Sequence, residues 1–343
     1  MVAGKFRVVS PYIGPKVEGK SDERPLAKER EEWQALSQIG ADIVEVRYSN
    51  EDELIRATAD ADALLISGAA ITRRVTETLK KCRVIARYGI GVDTLDIDAS
   101  TDHGIVIVNA PDFCVEEVAN HALLLLLACA KKLVLLHNKA AEGIWDRSLL
   151  SPMPTVWGQT LALVGFGKLA RAVARKAKAL QMQVIAYDPY ADQATAWEHG
   201  VDLLRMDFHE VLRRADFVSV HTPLTPETRH MFGEAEFKAM KPSAYFINTS
   251  RGPVVDEKAL IKALQEKWIA GAGLDVFEKE PPDKDNPLLK MPNVTMTPHS
   301  ASFSDVAFSR LRLRIGEEVA RVLTDKWPLC CYNARVKPRL PLH

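Results

Sequence analysis

The sequence predicts an α/β protein made of two doubly wound parallel-sheet domains. Three observations carry that expectation. Short β-branched runs alternate with polar segments of helical spacing, the pattern of strands joined by crossover helices. The alternation occurs as two series separated by a long apolar helix. At 343 residues the chain is also long enough for two cores rather than one.

In the first series, Phe6 to Ser10, Asp42 to Val46, Ala63 to Ser67, Arg83 to Arg87 and Ile105 to Asn109 read as strands, with helices expected over Glu23 to Ile39 and Thr72 to Lys81. Val115 to Leu136 reads as one long helix, acidic at its start through Glu116 and Glu117 and basic near its end through Lys131 and Lys132, each suiting the helix dipole. After the Pro-containing stretch Ser151 to Pro154, the second series follows. Its strands are Leu161 to Val164, Gln183 to Tyr187, Phe217 to His221, Ala244 to Asn248, Ala270 to Val276 and Val294 to Thr297. A last amphipathic helix, roughly Ser304 to Thr324, has no further strand to cover and is expected to return to the first domain. That domain is then discontinuous, 1–112 with 304–343, and the second is 113–303. The Pro-rich, basic tail Lys337 to His343 is expected to be disordered.

Composition narrows the function. With 45 basic and 45 acidic residues and a pI near 7.1, nothing favours a polyanionic partner, so nucleic acid is not expected and a small-molecule substrate is. The start, Met1 to Ser10, has no signal-peptide pattern, and the longest apolar run, Ala122 to Ala130, is about half the length needed to span a bilayer. A membrane partner is not expected. The five cysteines are odd in number and suit a reduced, cytoplasmic setting, and no Cys or His spacing matches a zinc site, so no metal is expected.

Gly165-Phe166-Gly167-Lys168-Leu169-Ala170 follows an apolar strand and opens a helix whose Leu169, Val173, Ala177 and Leu180 share one face. Gly165 permits a tight turn, Gly167 lets backbone approach a pyrophosphate, and Ala170 is small enough for close packing. The helix N-terminus offers free N–H groups to anionic oxygens. Alone, such a triplet fits a plain tight turn before a helix equally well. The next strand ends at Asp188, a little over twenty positions past Gly165, where a carboxylate can accept from the adenosine ribose hydroxyls. Pro189 and Tyr190 supply no cation for an extra phosphate, which makes the expected cofactor NAD (NADH) rather than NADP.

Hydride transfer at C2 of a 2-oxo acid needs a cation for the carboxylate, a proton donor for the carbonyl oxygen and a group that tunes that donor. Arg251, Glu280 and His299 stand after strands and supply those groups. Taken singly, each also fits an ordinary role: a surface cap, a solvated loop glutamate, a structural histidine. Together, Asn248-Thr249-Ser250-Arg251-Gly252, Glu280-Pro281 and Thr297-Pro298-His299-Ser300 resemble the D-2-hydroxyacid dehydrogenase family in order and spacing, over nearly the whole chain.

The resemblance implies a flavodoxin-like substrate domain and a Rossmann NAD-binding domain. It further implies a catalytic set of Arg251 on the substrate carboxylate, His299 as general acid and base, and Glu280 hydrogen-bonded to it. Arg87-Tyr88-Gly89-Ile90-Gly91-Val92-Asp93 matches the family loop whose amides meet the substrate, which adds Tyr88, Gly89, Ile90 and Gly91 beside Arg251. Cofactor contacts are implied at Gly165, Phe166, Gly167, Lys168, Leu169, Asp188, His221, Thr222, Pro223, Thr228, Thr249, Ser250, Arg251, Asp275 and His299, with a homodimer formed through the NAD-binding domains.

Several positions depart from family patterns. Asn120 stands where glutamate is common. Ile66-Ser67-Gly68-Ala69-Ala70 lacks the arginines of phosphoglycerate-specific members. Glu280 is not the glutamine of formate-specific members, nor Ile90 the lysine of phosphite-specific ones. The stretch Thr297 to Ser304, with Val115-Glu116-Glu117, is similar to the C-terminal-binding-protein branch, although Ser302 stands where that branch has tryptophan. This second likeness keeps open an NAD-sensing, dimeric, corepressor-like scaffold with little catalysis.

Overall fold

The computed structural model describes residues 6–14, 21–203 and 207–343. The chain forms two compact units, one of residues 1–113 with 304–343 and one of residues 114–303.

In the first unit the strands are β1 (Phe6–Ile13), β2 (Glu23–Pro25), β3 (Ala41–Tyr48), β4 (Ala63–Ile66), β5 (Val84–Arg87) and β6 (Val106–Val108). They lie in the order β2-β3-β1-β4-β5-β6, all parallel except the edge strand β2. Without that edge strand the order is 2-1-3-4-5, the flavodoxin-like arrangement. Ala63–Ile66 is buried at every position, as expected of a strand covered on both faces. The helix Asp305–Leu323 is capped by Ser304, whose Oγ accepts from Ala307 N at 3.0 Å. It packs so closely on the helix Glu31–Gln38 that a Cβ on Gly316 would lie 2.7 Å from Glu32 Cα.

The second unit contains β7 (Thr160–Val164), β8 (Gln183–Tyr187), β9 (Asp202–Leu203), β10 (Phe217–Val220), β11 (Tyr245–Asn248), β12 (Gly271–Leu274) and β13 (Val294–Met296). Its fully parallel order, β13-β12-β11-β10-β7-β8-β9, is that of a Rossmann sheet with one strand added. Side chains alternate between two cores. Leu161, Leu163, Phe217, Tyr245 and Ile247 pack on one face, and Ala162, Val164, Val218, Val220 and Phe246 on the other. Each fully buried aliphatic or aromatic side chain of this kind contributes about 1.5–3 kcal/mol.

Three expectations are corrected. Glu23 to Ile39 is not one helix: Glu23–Pro25 is an edge strand and only Glu31–Gln38 is helical. Pro25 removes an N–H donor and suits an edge, and Arg7–Glu23 (2.7 Å) and Arg24–Glu45 (2.9 Å) ion pairs hold this strand to the sheet. Val115 to Leu136 is two helices, Val115–Ala130 and Leu133–Ala141, bent by 61° where Lys132 takes a left-handed φ of 50°. Among the described residues no single helix is long and apolar enough to cross a membrane.

The tail from Lys337 to His343 is not disordered. Arg339 donates through Nε to His103 O (2.7 Å), through Nη1 to Leu79 O (2.5 Å) and through its backbone to Gly104 O (3.1 Å). Leu79 and His103 end the helices Arg73–Thr78 and Ile97–Asp102, so the guanidinium satisfies carbonyls that those helices leave without partners.

Candidate active site

In the second unit the strand register sets the site. Val164 lies beside Tyr187 and Val220, Val220 beside Asn248, Asn248 beside Leu274 and Leu274 beside Met296. The next residue of each strand is therefore Gly165, Asp188, His221, Thr249, Asp275 or Thr297, so one carboxyl edge collects most of the residues singled out above. Ligands of such sheets bind at this edge, where the strand order reverses, here between β7 and β10.

Gly165 is required twice over. Its φ is +88°, and a Cβ there would lie 2.9 Å from the His221 carbonyl carbon. Gly167 differs: a Cβ would meet nothing within 4 Å, so the space before the helix Lys168–Ala179 is open. No side chain caps that helix, which leaves its first N–H groups for an anion. The Phe166 side chain is fully buried and only its backbone faces the turn, its N–H donating to Asp188 Oδ2 at 2.8 Å. The other carboxylate oxygen accepts from Tyr190 N (2.8 Å) and Ala191 N (2.9 Å), which holds Asp188 against the glycine turn.

Across the edge, Thr228 Oγ1 donates to Pro223 O at 2.6 Å and fixes the turn that follows His221 and Thr222. Burial lowers the His221 pKa to about 4, so its ring is neutral, with Nε2 2.9 Å from Ser219 Oγ. Ser250 donates from both N and Oγ to Asn248 Oδ1 at 2.9 Å. Thr249 Oγ1 is buried without a partner among the described residues. An open glycine cradle, an uncapped helix start and a buried hydroxyl in need of a partner together fit a dinucleotide.

The catalytic candidates converge on the same edge. His299 Nδ1 lies 2.7 Å from Glu280 Oε2, while Glu280 Oε1 accepts from Phe277 N at 3.1 Å. The Glu280 bond raises the imidazole pKa above its ordinary 6.5, against the opposing effect of burial. Burial pushes the Glu280 carboxyl upward, but the bonds to His299 and Phe277 N–H outweigh it and hold the group below its ordinary 4.5. Glu280 and His299 line a cavity of about 390 Å³ together with Phe277, Pro281, Met296 and Pro298. His299 adopts φ +50°, a left-handed conformation that costs a non-glycine residue of order 1–3 kcal/mol and persists only where surroundings hold it. Those surroundings are Asp275, whose carbonyl accepts from His299 N (2.8 Å) and whose buried carboxylate accepts from Ser300 N (2.8 Å), Ala301 N (2.9 Å) and Thr297 Oγ1 (2.6 Å).

Arg251 is held through its own backbone, its carbonyl accepting from Asn248 Nδ2 at 3.0 Å, and its Nη1 donates to Ser250 O at 2.7 Å. Its charge acts on both Glu280 and His299. Gly252 lets this loop close on the glutamate loop, since a Cβ would lie 1.8 Å from Phe277 O. Sequence reasoning gave no role to Gly252, to Asn248 or to His121, whose Nε2 is 2.8 Å from Thr297 Oγ1. Gly252 and Asn248 left a signal, by standing in one motif with Arg251.

A family model described as "D-isomer specific 2-hydroxyacid dehydrogenase, NAD binding domain" matches residues 123–301, more than half of the chain. The chain belongs to the D-isomer specific 2-hydroxyacid dehydrogenase family. Its second unit carries the family's NAD binding domain, and the sheet order above agrees. A D-3-phosphoglycerate dehydrogenase of Methanocaldococcus jannaschii is 41% identical over 80% of this chain, which spans about half (52%) of that protein's length. A glyoxylate reductase of Korarchaeum cryptofilum is 42% identical over 82% of this chain and 86% of its own. Among solved structures, the TT0316 protein of Thermus thermophilus superposes with a TM-score of 0.83 at 31% identity, covering 95% of this chain and all of that one.

The Arg87–Asp93 loop, which resembles the family's substrate loop, falls in the first unit, after β5. Tyr88 turns its side chain into that unit, where its hydroxyl donates to Glu32 Oε1 at 2.6 Å. Burial, and then the Glu32 charge, push the phenol well above 10, so it stays a donor. Gly89 follows at φ +142°.

Proposed function

We propose that this dehydrogenase moves a hydride between NAD(H) and C2 of a small, unphosphorylated D-2-hydroxy or 2-oxo acid. The Glu280–His299 pair at the mouth of the nucleotide-binding edge carries this reading. Gly167 and the start of Lys168–Ala179 would hold the pyrophosphate of NADH, and Thr249 and Ser250 its nicotinamide ribose; once bound, the cofactor would supply the hydride for C2. Asp188 receives the adenosine ribose hydroxyls and disfavours the extra phosphate of NADP.

In reduction, Arg251 holds the substrate carboxylate. His299, with Nδ1 engaged by Glu280, gives its Nε2 proton to the carbonyl oxygen as C2 gains its hydride, which yields the hydroxyl. In oxidation, neutral His299 takes that proton back. Glu280 raises the imidazole pKa and keeps the acid form present near neutral pH. The first unit serves as substrate domain. Uncharged Ile66-Ser67-Gly68-Ala69-Ala70 offers no cation to a phosphorylated substrate, which favours acids of the glyoxylate or hydroxypyruvate kind.

A homodimer through the second unit is supported by an apolar arm on that unit. Helix Leu133–Ala141 has no buried residue, and Trp145 and Trp157 beyond it are 88% and 68% exposed. Five cysteines without a disulfide suit a reducing, cytoplasmic setting. The test is NADH consumption against a panel of 2-oxo acids. Turnover of at least one small acid, with NADH preferred over NADPH, supports the reading. Tight NADH binding with no turnover on any acid overturns it in favour of a nucleotide-sensing scaffold.

A further inference from the structure

Within the substrate loop of the first unit, Gly89-Ile90-Gly91 carries no polar side chain, and the structure indicates how its backbone is aimed. Three consecutive carbonyls each have a donor. Tyr88 O accepts from Arg87 Nη1, Gly89 O from Ala110 N at 3.1 Å and Ile90 O from Asn109 Nδ2 at 2.7 Å. Peptide groups are planar and trans, so the carbonyl of one residue and the N–H of the next point in opposite directions. Anchoring these three oxygens therefore turns the N–H groups of Gly89, Ile90 and Gly91 the other way, and none of these donates to an acceptor among the described residues. Successive amides aimed at one side form an anion-binding concavity. Gly89 at φ +142° supplies the backbone freedom this requires.

We infer that Asn109 is a positioning residue for the substrate carboxylate: its buried amide, with Ala110 N–H beside it, orients the Ile90–Gly91 peptide so that the loop's amides face the anion. This rests on the hydroxyacid reading above and adds to it a residue that makes no substrate contact itself. Asn109 is 6% exposed and directly follows β6, the strand next to the loop's own β5, so its position is set by the sheet rather than by the loop. Its loss removes the side-chain donor to Ile90 O and lets that peptide rotate. A bond that holds the carboxylate equally in ground and transition states changes substrate affinity and leaves the chemical step alone.

Two variants separate positioning from mere support, Asn109→Ala and the nearly isosteric Asn109→Asp, which keeps the volume but cannot donate when ionised. Binding of oxamate to the NADH complex is measured by calorimetry, alongside KM and kcat for the best 2-oxo acid and the NADH Kd. Oxamate Kd and KM are expected to rise tenfold or more in both variants, with kcat and NADH Kd within about threefold of the parent protein. In the unmodified protein, oxamate is expected to shift the amide resonances of Ile90 and Gly91. Oxamate Kd within twofold of the parent in both variants, or no shift at those amides, overturns the inference. If the protein turns over 2-oxo acids and the variants bind oxamate normally, the inference falls and the functional reading stands. If no acid is turned over yet oxamate shifts Ile90 and Gly91 and is lost in the variants, the inference stands and that reading falls.

Discussion

The carboxyl edge of the second unit and the substrate loop of the first do comparable work by opposite means. At the edge, ionisable side chains do the chemistry: Glu280 touches His299, Arg251 acts on both, and Asp188 braces the glycine turn. In the loop the groups proposed to work are backbone amides, and the side chains nearby make structural bonds, Tyr88 to Glu32 and Asn109 to Ile90 O. The edge therefore answers sharply to single substitutions at reacting atoms, whereas the loop answers through geometry and affinity.

The sharpest break in that comparison is His299→Ala. Removing a general acid is expected to lower kcat by roughly 10²–10⁴, while NADH binding stays within about twofold because the glycine cradle is untouched. Rapid-mixing kinetics with fluorescence titration of NADH separate the two. A variant that keeps most of its turnover would show that the proton comes from elsewhere.

Next in size is Asp188→Ala. Losing hydrogen bonds to a charged group costs about 1.5–3 kcal/mol, so NADH affinity should fall about tenfold to a hundredfold, while NADPH, which the carboxylate repels, should lose less. An unchanged ratio of NADH to NADPH dissociation constants removes Asp188 from cofactor selection. Gly89→Ala tests the loop in the same units. Forcing alanine to φ +142° costs of order 1–3 kcal/mol, and KM for the acid is expected to rise about tenfold with NADH affinity unchanged. A fall in kcat alone would mean that the loop acts on the reaction step and not on binding.

This contrast explains what could be read in advance. Parallel strands announce themselves as apolar runs, and edge residues follow them directly or within a few positions, so Gly165, Asp188, Arg251 and Asp275 were legible together with both sheets. His121 was not, because it matters through a hydrogen bond to Thr297, a residue brought near only by folding. Asn109 is an unremarkable residue after a strand until the peptide opposite it is placed. Composition misled at the tail: its prolines and charges resemble a disordered segment, yet Arg339 finds two helix ends whose carbonyls need donors, a match invisible along the chain. The long apolar run after residue 115 likewise concealed the left-handed turn at Lys132.

The smallest expected effect is the most diagnostic of mechanism. Glu280 is the largest influence raising the His299 pKa, and burial works against it. In Glu280→Gln the amide still bonds the ring but carries no charge, so the imidazole pKa is expected to fall toward or below its ordinary value. Reduction needs the protonated ring, so its rate declines as pH rises through that pKa, and the declining limb should move to lower pH in the variant. Oxidation needs the neutral ring, so its rising limb should move to lower pH as well. Near neutral pH reduction then loses several-fold while oxidation is nearly spared, a divergence that simple loss of packing cannot produce because it would lower both directions alike. Parallel pH profiles of the two directions, in the variant and its parent, read this directly. Limbs that stay in place would mean that Glu280 positions the ring without setting its charge, and the edge would then resemble the loop more than the present geometry implies.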